Sequence, residues 1–198
     1  MGDRTVSGKE FINTLFEFSS LISNADGVGN VFATLVDLAR KLLIFDNIVI
    51  YLEDAGDLRP AFAKSVGRGR SKEADIDWGD AFIERVFKDN SLSIHQDVVE
   101  GPEDDRLKIP YYIGTPLWHG REAVGVLIMI RFGGPEYNDQ DQKTVLFIAD
   151  QISRMMERDV LVIAIEQIVG RHRVWEMLGD SVGSVTHGLR AGVGVLVG

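Results

Sequence analysis

Four aromatic residues of this sequence, Trp78, Phe82, Tyr111 and Tyr112, have the flat side chains that stack on a planar ligand. An apolar cavity lined by such rings could hold a small molecule, with a few polar groups to orient it. Aromatic rings also fill ordinary protein cores, and core packing is the simpler explanation of all four residues. The sequence alone leaves both interpretations open.

Histidine is a second residue type in this region that could contact a ligand. His95 is predicted at the end of a short strand, where its imidazole could ligate haem iron or form a hydrogen bond. A lone histidine more often has a structural role, so haem is disfavoured as a cofactor. His119 stands beside Gly120 in a predicted turn, and we expect it at the protein surface.

Three basic residues in a glycine-containing loop, Arg68, Arg70 and Lys72, could neutralise a phosphate or carboxylate ligand. A solvated loop is the simpler explanation of these charges. The chain has no cysteine, which excludes disulfides, thiol chemistry and cysteine-ligated metals within it. No metal site is predicted.

Composition limits the classes of partner that the chain can have. Its 198 residues predict one compact domain with an appendage. The sequence has 21 Lys and Arg against 30 Asp and Glu, and the resulting net charge of −9 disfavours nucleic acid as a partner. We see no secretory signal pattern and no apolar run of the about 20 residues that span a bilayer. We therefore expect a cytoplasmic protein without membrane insertion.

Hydrophobic periodicity predicts the elements that position these residues. Ser7 with Glu10 is a capping box at the start of the first helix. The segment Val124–Ile130 is apolar on both alternating faces, which predicts a central strand covered on both sides. Pro116 in the strand before it indicates an irregular or edge position. The other elements are a helix from about Asn30, strands Asn47–Glu53 and Leu58–Ser65, a helix Asp80–Lys88, a strand Leu92–His95, an acidic loop Asp97–Lys108 and a helix from Asp139.

The helix from Asp139 is predicted to be long. Asn138 and Asp141 are its capping residues, and its apolar stripe consists of Val145, Ile148, Ile152 and Met155. Farther along, Val160–Ile165 is apolar on all sides, a pattern that needs cover. A second copy of the same helix would supply that cover, so the sequence predicts a homodimer through the C-terminal helix.

The order of these elements resembles the GAF domain family, and one hairpin carries the detailed likeness. Pro116-Leu117 followed by Gly125-Val126-Leu127 is similar to the family pattern x-P-L-x-x-x-G-x-x-x-G-V-L, although Gly120 comes early for its longest version. The segment Ile148–Ile152 is similar to the family's L-A-x-Q-I-A helix. These motifs shape the fold and do not specify a ligand.

The resemblance implies an α+β fold: a GAF-like central antiparallel sheet with helices on one face, followed by a long C-terminal signalling helix. It also implies a ligand pocket on the other face, formed by the Asp80–Lys88 helix, the Leu92–His95 strand and the flanking loops. The expected ligand-binding residues are Phe62, Trp78, Phe82, Phe87, His95, Tyr111 and Tyr112.

Members of the family bind cyclic nucleotides, bilins, haem or small metabolites, and some bind no ligand. Covalent bilin attachment and the methionine sulfoxide reductase activity found on this fold both need cysteine, so the absence of cysteine excludes them here. Ile130-Arg131-Phe132 departs from the Asn-Lys-Phe-Asp-Glu signature of cyclic-nucleotide binders, which disfavours those ligands. The expected ligand is an unidentified small molecule, and the cofactor is unknown.

The C-terminal segment Ser184–Val193 resembles the phosphoacceptor box of sensor histidine kinases, S-H-E-L-R-T-P-L. Gly188 and Gly192 replace the acidic residue and the proline of that pattern. The resemblance implies that His187 accepts a phosphoryl group from an ATP-binding domain beyond Gly198. An amphipathic helix with one surface histidine is the alternative.

We therefore predict three segments: a GAF domain over residues 7–158, a signalling or linker helix over 159–180, and the start of a dimerisation or phosphoacceptor helix over 181–198. The predicted function is small-molecule sensing within a signal-transduction protein, a two-component sensor histidine kinase. One alternative is a ligand-free GAF dimer that serves as an assembly platform. The other is an enzyme that uses the same pocket. We expect no enzymatic activity from this chain alone.

Overall fold

The structure, a computed structural model, describes residues 8–67, 80–100 and 104–158. We number the helices and strands in chain order. The helices are α1 (Gly8–Asn24), α2 (Val28–Leu42), α3 (Asp80–Asp89) and α4 (residues 139–158), with a 3-10 helix at Asp105–Lys108. The strands are β1 (Asn47–Asp54), β2 (Asp57–Ser65), β3 (Ser93–Gln96), β4 (Pro110–His119) and β5 (Glu122–Phe132).

The five strands form one antiparallel sheet in the order β2-β1-β5-β4-β3. Strand β5 is central, as its apolar sequence predicts. Successive residues of a strand point to opposite faces, so β5 contributes to two separate cores. Met129 packs with α1, α2 and α4, whereas Ile128 packs with α3. We call these two sides of the sheet the helix face and the α3 face.

The strand before β5 is irregular where the proline predicts it. Strand β3 pairs with β4 only as far as Gly114, so Pro116 lies beyond that pairing and is flanked on one side by β5. The register of β4 and β5 also shifts between Leu117 and Trp118. A proline is tolerated there because it has no N–H to donate, and at this position β4 needs no hydrogen bond to β3.

Helix α4 begins with the predicted cap. The Asn138 side-chain oxygen accepts hydrogen bonds from the backbone N–H groups of Gln140 (2.8 Å) and Asp141 (3.0 Å). The Asp141 carboxylate accepts one in return from the Asn138 N–H, at 3.2 Å. The predicted stripe of α4 is buried on the helix face: Val145, Ile148, Ile152 and Met155.

Several element boundaries differ from the sequence predictions by one or two residues, and one element is not predicted. Helix α2 begins at Val28 instead of about Asn30, and β3 is shifted one residue later than Leu92–His95. The acidic loop contains the 3-10 helix, which begins where the Asp104 carboxylate accepts a hydrogen bond from the Arg106 N–H at 3.0 Å. One turn of 3-10 helix is too short to leave a periodic apolar pattern, so the sequence gives no sign of it.

The predicted signalling helix (159–180) and phosphoacceptor helix (181–198) lie outside the described residues. Within residues 8–67, 80–100 and 104–158, none of the helices combines the length and the apolar character that crossing a bilayer requires.

Candidate ligand-binding face

Helix α3 packs close to the sheet because the strand beneath it has a glycine. Phe82, Ile83 and Val86 form the buried side of α3. A Cβ atom on Gly114 would lie only 3.0 Å from the Phe82 ring and from a Val86 methyl, and 2.6 Å from the Ile128 side chain. Glycine at position 114 therefore permits the close approach of helix and sheet.

Three of the predicted site residues form a cluster of rings under α3. The Phe82 ring stacks on the His95 imidazole, with centroids 5.8 Å apart and an interplanar angle of 22°. Tyr112 lies 5.8 Å from Phe82 and 6.0 Å from His95, also between ring centroids. Phe82 and Tyr112 are buried, and His95 is half-buried. These rings contact one another, as core packing predicts, and His95 keeps part of its surface exposed to solvent.

A cavity of about 450 Å³ lies beside this cluster, between α3 and the β1–β2 turn. Its apolar wall consists of Tyr51, Leu58, Ile83 and Phe87. Its polar rim consists of Gly56, Asp57, Asp80, Glu84 and Lys88. A volume of this size with an apolar wall and a polar rim is typical of small-molecule sites.

Phe87 is among the ligand-binding residues that the sequence predicts, whereas the other three residues of the wall are not. Ile83 lies one helical turn before Phe87, a spacing that places both side chains on one side of α3. Tyr51 and Leu58 come from the hairpin that the sequence does predict, but their position opposite α3 is a property of the tertiary structure. Tyr51 also follows a register shift between β1 and β2, which no sequence pattern indicates.

Two of the predicted binding residues point away from the α3 face. Phe62 packs on the helix face, with its ring centroid 5.5 Å from that of Phe32 in α2. Tyr111 packs against the helix-face core, while its neighbour Tyr112 is buried on the α3 face. Tyr111 and Tyr112 lie on different faces because consecutive side chains of a strand point to opposite sides of the sheet. The structure therefore does not bring Phe62 and Tyr111 together with Phe82.

The remaining predicted residues fall in two groups. Trp78, His187 and the basic residues Arg68, Arg70 and Lys72 lie outside the described residues. His119 is exposed beside the β4–β5 turn, where Gly120 has a positive φ of 62°. In the parts of the chain that the structure describes, no three His, Asp or Glu side chains cluster closely enough to hold a metal ion.

A buried arginine at the end of β5 connects several segments of the chain, a role that no sequence pattern predicts. Arg131 is 4% exposed, and its guanidinium donates to the carbonyl oxygens of Ile44 (2.9 Å) and Pro135 (2.9 Å). It also forms an ion pair with the Asp141 carboxylate at 3.2 Å. The guanidinium carbon lies 4.2 Å from the Tyr137 ring centroid. Arg131 thus joins the sheet to the first turn of α4.

Asp46 extends this network to the 3-10 helix. One carboxylate oxygen accepts a hydrogen bond from the Phe132 N–H at 2.8 Å, and the other pairs with Arg106 at 3.3 Å. Burial raises the pKa of the Tyr137 phenol; Arg131 lowers it in part, and Asp141 and Asp46 raise it further. We call Asp46, Arg106, Arg131, Tyr137 and Asp141 the anchor cluster.

Comparison with families of known proteins agrees with this architecture. The family model described as GAF domain matches residues 25–157 of the chain. Among curated proteins, no match is found.

Solved structures of the same fold come from several kinds of protein. A segment of a methyl-accepting chemotaxis protein, residues 122 to 287, is 21% identical with a TM-score of 0.56, over 73% of this chain and 98% of that one. Free methionine-R-sulfoxide reductase from Neisseria meningitidis is 14% identical with a TM-score of 0.60, over 82% and 97% of the two chains. The GAF domain of a two-component sensor histidine kinase from Bacillus halodurans is 15% identical with a TM-score of 0.51, over 70% and 99%. At identities of 14% to 21%, the likeness between this chain and these structures shows a shared fold and no more.

Proposed function

The chain belongs to the GAF domain family, and from that premise we propose that it is a sensor module of a signal-transduction protein, with its ligand site on the α3 face. The observation that carries the proposal is the cavity of about 450 Å³ between α3 and the β1–β2 turn. Its apolar wall and charged rim suit a small molecule with both an apolar part and polar groups. The chemotaxis and sensor-kinase domains of the same fold support a signalling role.

The proposed mechanism is a shift between two packings of the domain. A ligand that binds more tightly when α3 is in one of two positions stabilises that position. The size of the effect is set by the difference between its affinities for the two states. Strand β5 is the link, since Ile128 packs under α3 and Met129 packs under the helices of the opposite face. Helix α4 would pass the change to residues 159–180 as a signalling helix, with a homodimer formed through Val160–Ile165.

A cavity-filling variant tests the site. In Leu58→Trp the indole would occupy the cavity, because Leu58 is half-buried in its wall. The matched control is Leu52→Trp, since Leu52 packs against the helix face. We expect native mass spectrometry and a thermal-shift panel of metabolites to find a ligand for the wild-type chain. That binding should disappear in Leu58→Trp and persist in Leu52→Trp. Equal binding by both variants would contradict the proposed site.

The finer proposal is that the protein is a two-component histidine kinase with His187 as phosphoryl acceptor. The resemblance of Ser184–Val193 to a phosphoacceptor box supports it. The full-length gene product should then label with ATP, and His187→Gln should abolish the label. His172→Gln is the matched control and should keep it. Persistent labelling of His187→Gln would eliminate this role.

A ligand-free assembly platform is the second candidate, and the ring cluster favours it. Phe82, His95 and Tyr112 contact one another and fill part of the α3 face with their own side chains. A dimeric wild-type chain that carries no small molecule and shows no thermal shift across the metabolite panel would support the platform over the sensor.

A further inference from the structure

Strand β3 forms one edge of the sheet, and its pairing with β4 continues past its last residue. The Asp97 N–H donates to the Pro110 carbonyl oxygen at 3.1 Å, and the Val99 N–H donates to the Lys108 carbonyl oxygen at 2.9 Å. The chain therefore runs alongside β4 over residues 93–99. We call this segment the β3 edge.

The outer side of the β3 edge has no neighbouring strand in the part of the chain that the structure describes. Consecutive residues of a paired strand direct their backbone N–H and C=O groups to opposite sides. Asp97 and Val99 bond to β4, so the residues that alternate with them direct these groups outward. These are Ile94, Gln96 and Val98. The Val98 N–H donates to the Asp97 carboxylate at 2.8 Å, and among the described residues the rest of this row is open to a further strand.

Two large apolar side chains of the β3 edge are exposed on the same face of the sheet. Ile94 lies opposite Ile113, which belongs to the helix-face core, so Ile94 is on the helix face. Val98 comes four residues later and is therefore on that face too. Ile94 is 38% exposed and Val98 is 70% exposed. Exposed apolar side chains along an open edge favour the addition of a strand.

The opposite edge of the sheet, β2, has features that prevent such pairing. It contains Pro60, which has no N–H to donate, and the charged residues Arg59 and Lys64. Its register with β1 also shifts between Ile50 and Tyr51. Proteins keep sheet edges apart by prolines, edge charges and irregular pairing. The β3 edge, Ser-Ile-His-Gln-Asp-Val-Val, has no proline and no lysine, and its pairing with β4 is regular.

We propose that the β3 edge pairs with the β3 edge of a second copy of the chain, antiparallel and about a two-fold axis at Gln96. In this register the two Gln96 residues are opposite each other, and Ile94 of each copy is opposite Val98 of the other. All of these residues direct their backbone groups outward, so the two rows of donors and acceptors meet. The interface joins the same surface of both copies, as a two-fold axis requires, and the two sheets become continuous.

The other face of this pairing is complementary in charge. His95 lies opposite Tyr112 on the α3 face, and Asp97 follows on the same face. The proposed register places His95 of each copy opposite Asp97 of the other, where the imidazole can donate a hydrogen bond to the carboxylate. The carboxylate then leaves the Val98 N–H, which donates to the Ile94 carbonyl oxygen of the other copy. Moving the register by two residues would place either the two Asp97 carboxylates or the two His95 rings opposite each other, so the register at Gln96 is favoured.

The size of this contact indicates a weak dimer. A strand of seven residues is about 23 Å long, and interfaces that bury less than about 1,200 Å² in total are typical of transient complexes. We therefore expect a dissociation constant between about 1 μM and about 1 mM. The inference depends neither on the ligand nor on the phosphoacceptor. The β3 edge is also a different surface from the C-terminal helix of the homodimer proposed above.

Oxidative cross-linking tests the register directly, since the chain has no native cysteine. The Cα atoms of a hydrogen-bonded pair in an antiparallel ladder are about 5.5 Å apart, a distance that a disulfide can span. Gln96→Cys in the full chain should therefore form a covalent dimer on mild oxidation. The matched control is Ala63→Cys, because Ala63 is exposed on the opposite edge strand β2. Equal cross-linking of the two variants would overturn the proposal.

Both variants are made in a parent chain that also carries Leu161→Glu and Ile165→Glu. These changes remove the apolar surface proposed for the C-terminal helix, so a covalent dimer that forms in this parent does not depend on that helix.

Ile94→Lys tests the apolar contact in the same parent. It places a lysine opposite Val98 twice in each dimer, and an edge lysine also disfavours strand pairing. We expect sedimentation equilibrium up to about 1 mM protein to show a dimer for the parent and a dissociation constant at least about 10-fold higher for Ile94→Lys. Ala63→Lys, on the other edge, should leave it unchanged. A parent that stays monomeric over this range would refute the β3 pairing.

Hydrogen exchange distinguishes a second copy from a segment of the same chain. The outward amides of Ile94 and Gln96 should exchange slowly at concentrations where the parent is dimeric and fast after dilution. Slow exchange at every concentration would show that another segment of the same chain covers the β3 edge, and the proposal would then be wrong.

Discussion

The helix face of the sheet is covered by α1, α2 and α4, whereas in the described residues the α3 face is covered by a helix of ten residues and one turn of 3-10 helix. The helix face includes an ion pair buried between β5 and α4. The α3 face includes a glycine contact, a half-buried histidine and a cavity. In the proposed sensor the helix face is the fixed one and the α3 face the adjustable one, because fewer elements cover the α3 face and local opening is easiest where few elements hold a helix.

The largest expected difference between the faces is in the unfolding free energy that is lost when one arginine on each face is replaced. Arg131→Met removes the ion-pair partner of the half-buried Asp141 and the donor to the Ile44 and Pro135 carbonyls, and the loss of one member of a buried pair costs about 3–5 kcal/mol. Arg85→Met, on the exposed side of α3, removes only a stacking contact with the Phe82 ring at 5.3 Å, worth about 1 kcal/mol or less. Urea denaturation of both variants measures this difference. Equal losses of unfolding free energy would contradict the contrast between the faces.

Replacing a glycine by alanine should lower the stability of the protein on the α3 face and raise it on the helix face. Gly114→Ala pushes a methyl group against Phe82 and Val86, and such overpacking costs about 1–3 kcal/mol. Gly29→Ala lies in α2, where a Cβ atom meets the Phe62 ring at an ordinary 3.4 Å. The gain in helix propensity should stabilise that variant by about 0.5–1 kcal/mol. Thermal unfolding measures whether each variant is more or less stable than the wild type. A stabilised Gly114→Ala would show that α3 is not held close to the sheet.

Tyr137→Phe gives the smallest effect at neutral pH. Within the described residues, the Tyr137 hydroxyl has no hydrogen-bond partner, so its removal should leave stability nearly unchanged at pH 7. Burial raises the pKa of Tyr137 in the folded state, while the unfolded phenol ionises near pH 10. Above about pH 10 the unfolded chain releases a proton that the folded chain keeps.

The wild type should therefore lose up to about 1.4 kcal/mol of stability per pH unit above that point, in addition to losses from other groups. Tyr137→Phe should lack this part of the loss. Urea midpoints measured from pH 7 to pH 11 test the expectation. Parallel pH profiles for the wild type and the variant would show that Tyr137 is not shielded from solvent in the folded state.

The sequence predicts the α-helices and strands of this fold well because each of them carries a local signal. The apolar alternation of Val124–Ile130 predicts the central strand, and the Asn138–Asp141 cap predicts the start of α4. The residues of the candidate site are harder to predict, because a cavity is formed between elements that are distant in sequence. Tyr51 and Leu58 show no local sign that they face α3, and Tyr111 differs from Tyr112 only by the strand register.

The sequence gives no sign of the anchor cluster, for a related reason. Arg131 lies at the end of an apolar strand, and a charged residue there is most simply explained as exposed. Its partners come from the segments before β1 and after β5, which the sequence separates by more than eighty residues. Only the antiparallel pairing of β1 and β5 brings these segments together.

Hydrogen exchange of the full chain without added ligand tests the central claim most directly. If the α3 face is the adjustable one, backbone amides of Asp80–Asp89 should exchange at least about 10-fold faster than those at the centre of α4, because α3 opens locally. Addition of a metabolite found by the thermal-shift panel should then slow exchange in α3 and around the β1–β2 turn. Equal protection of α3 and α4 in the free protein, with no change on binding, would contradict the account.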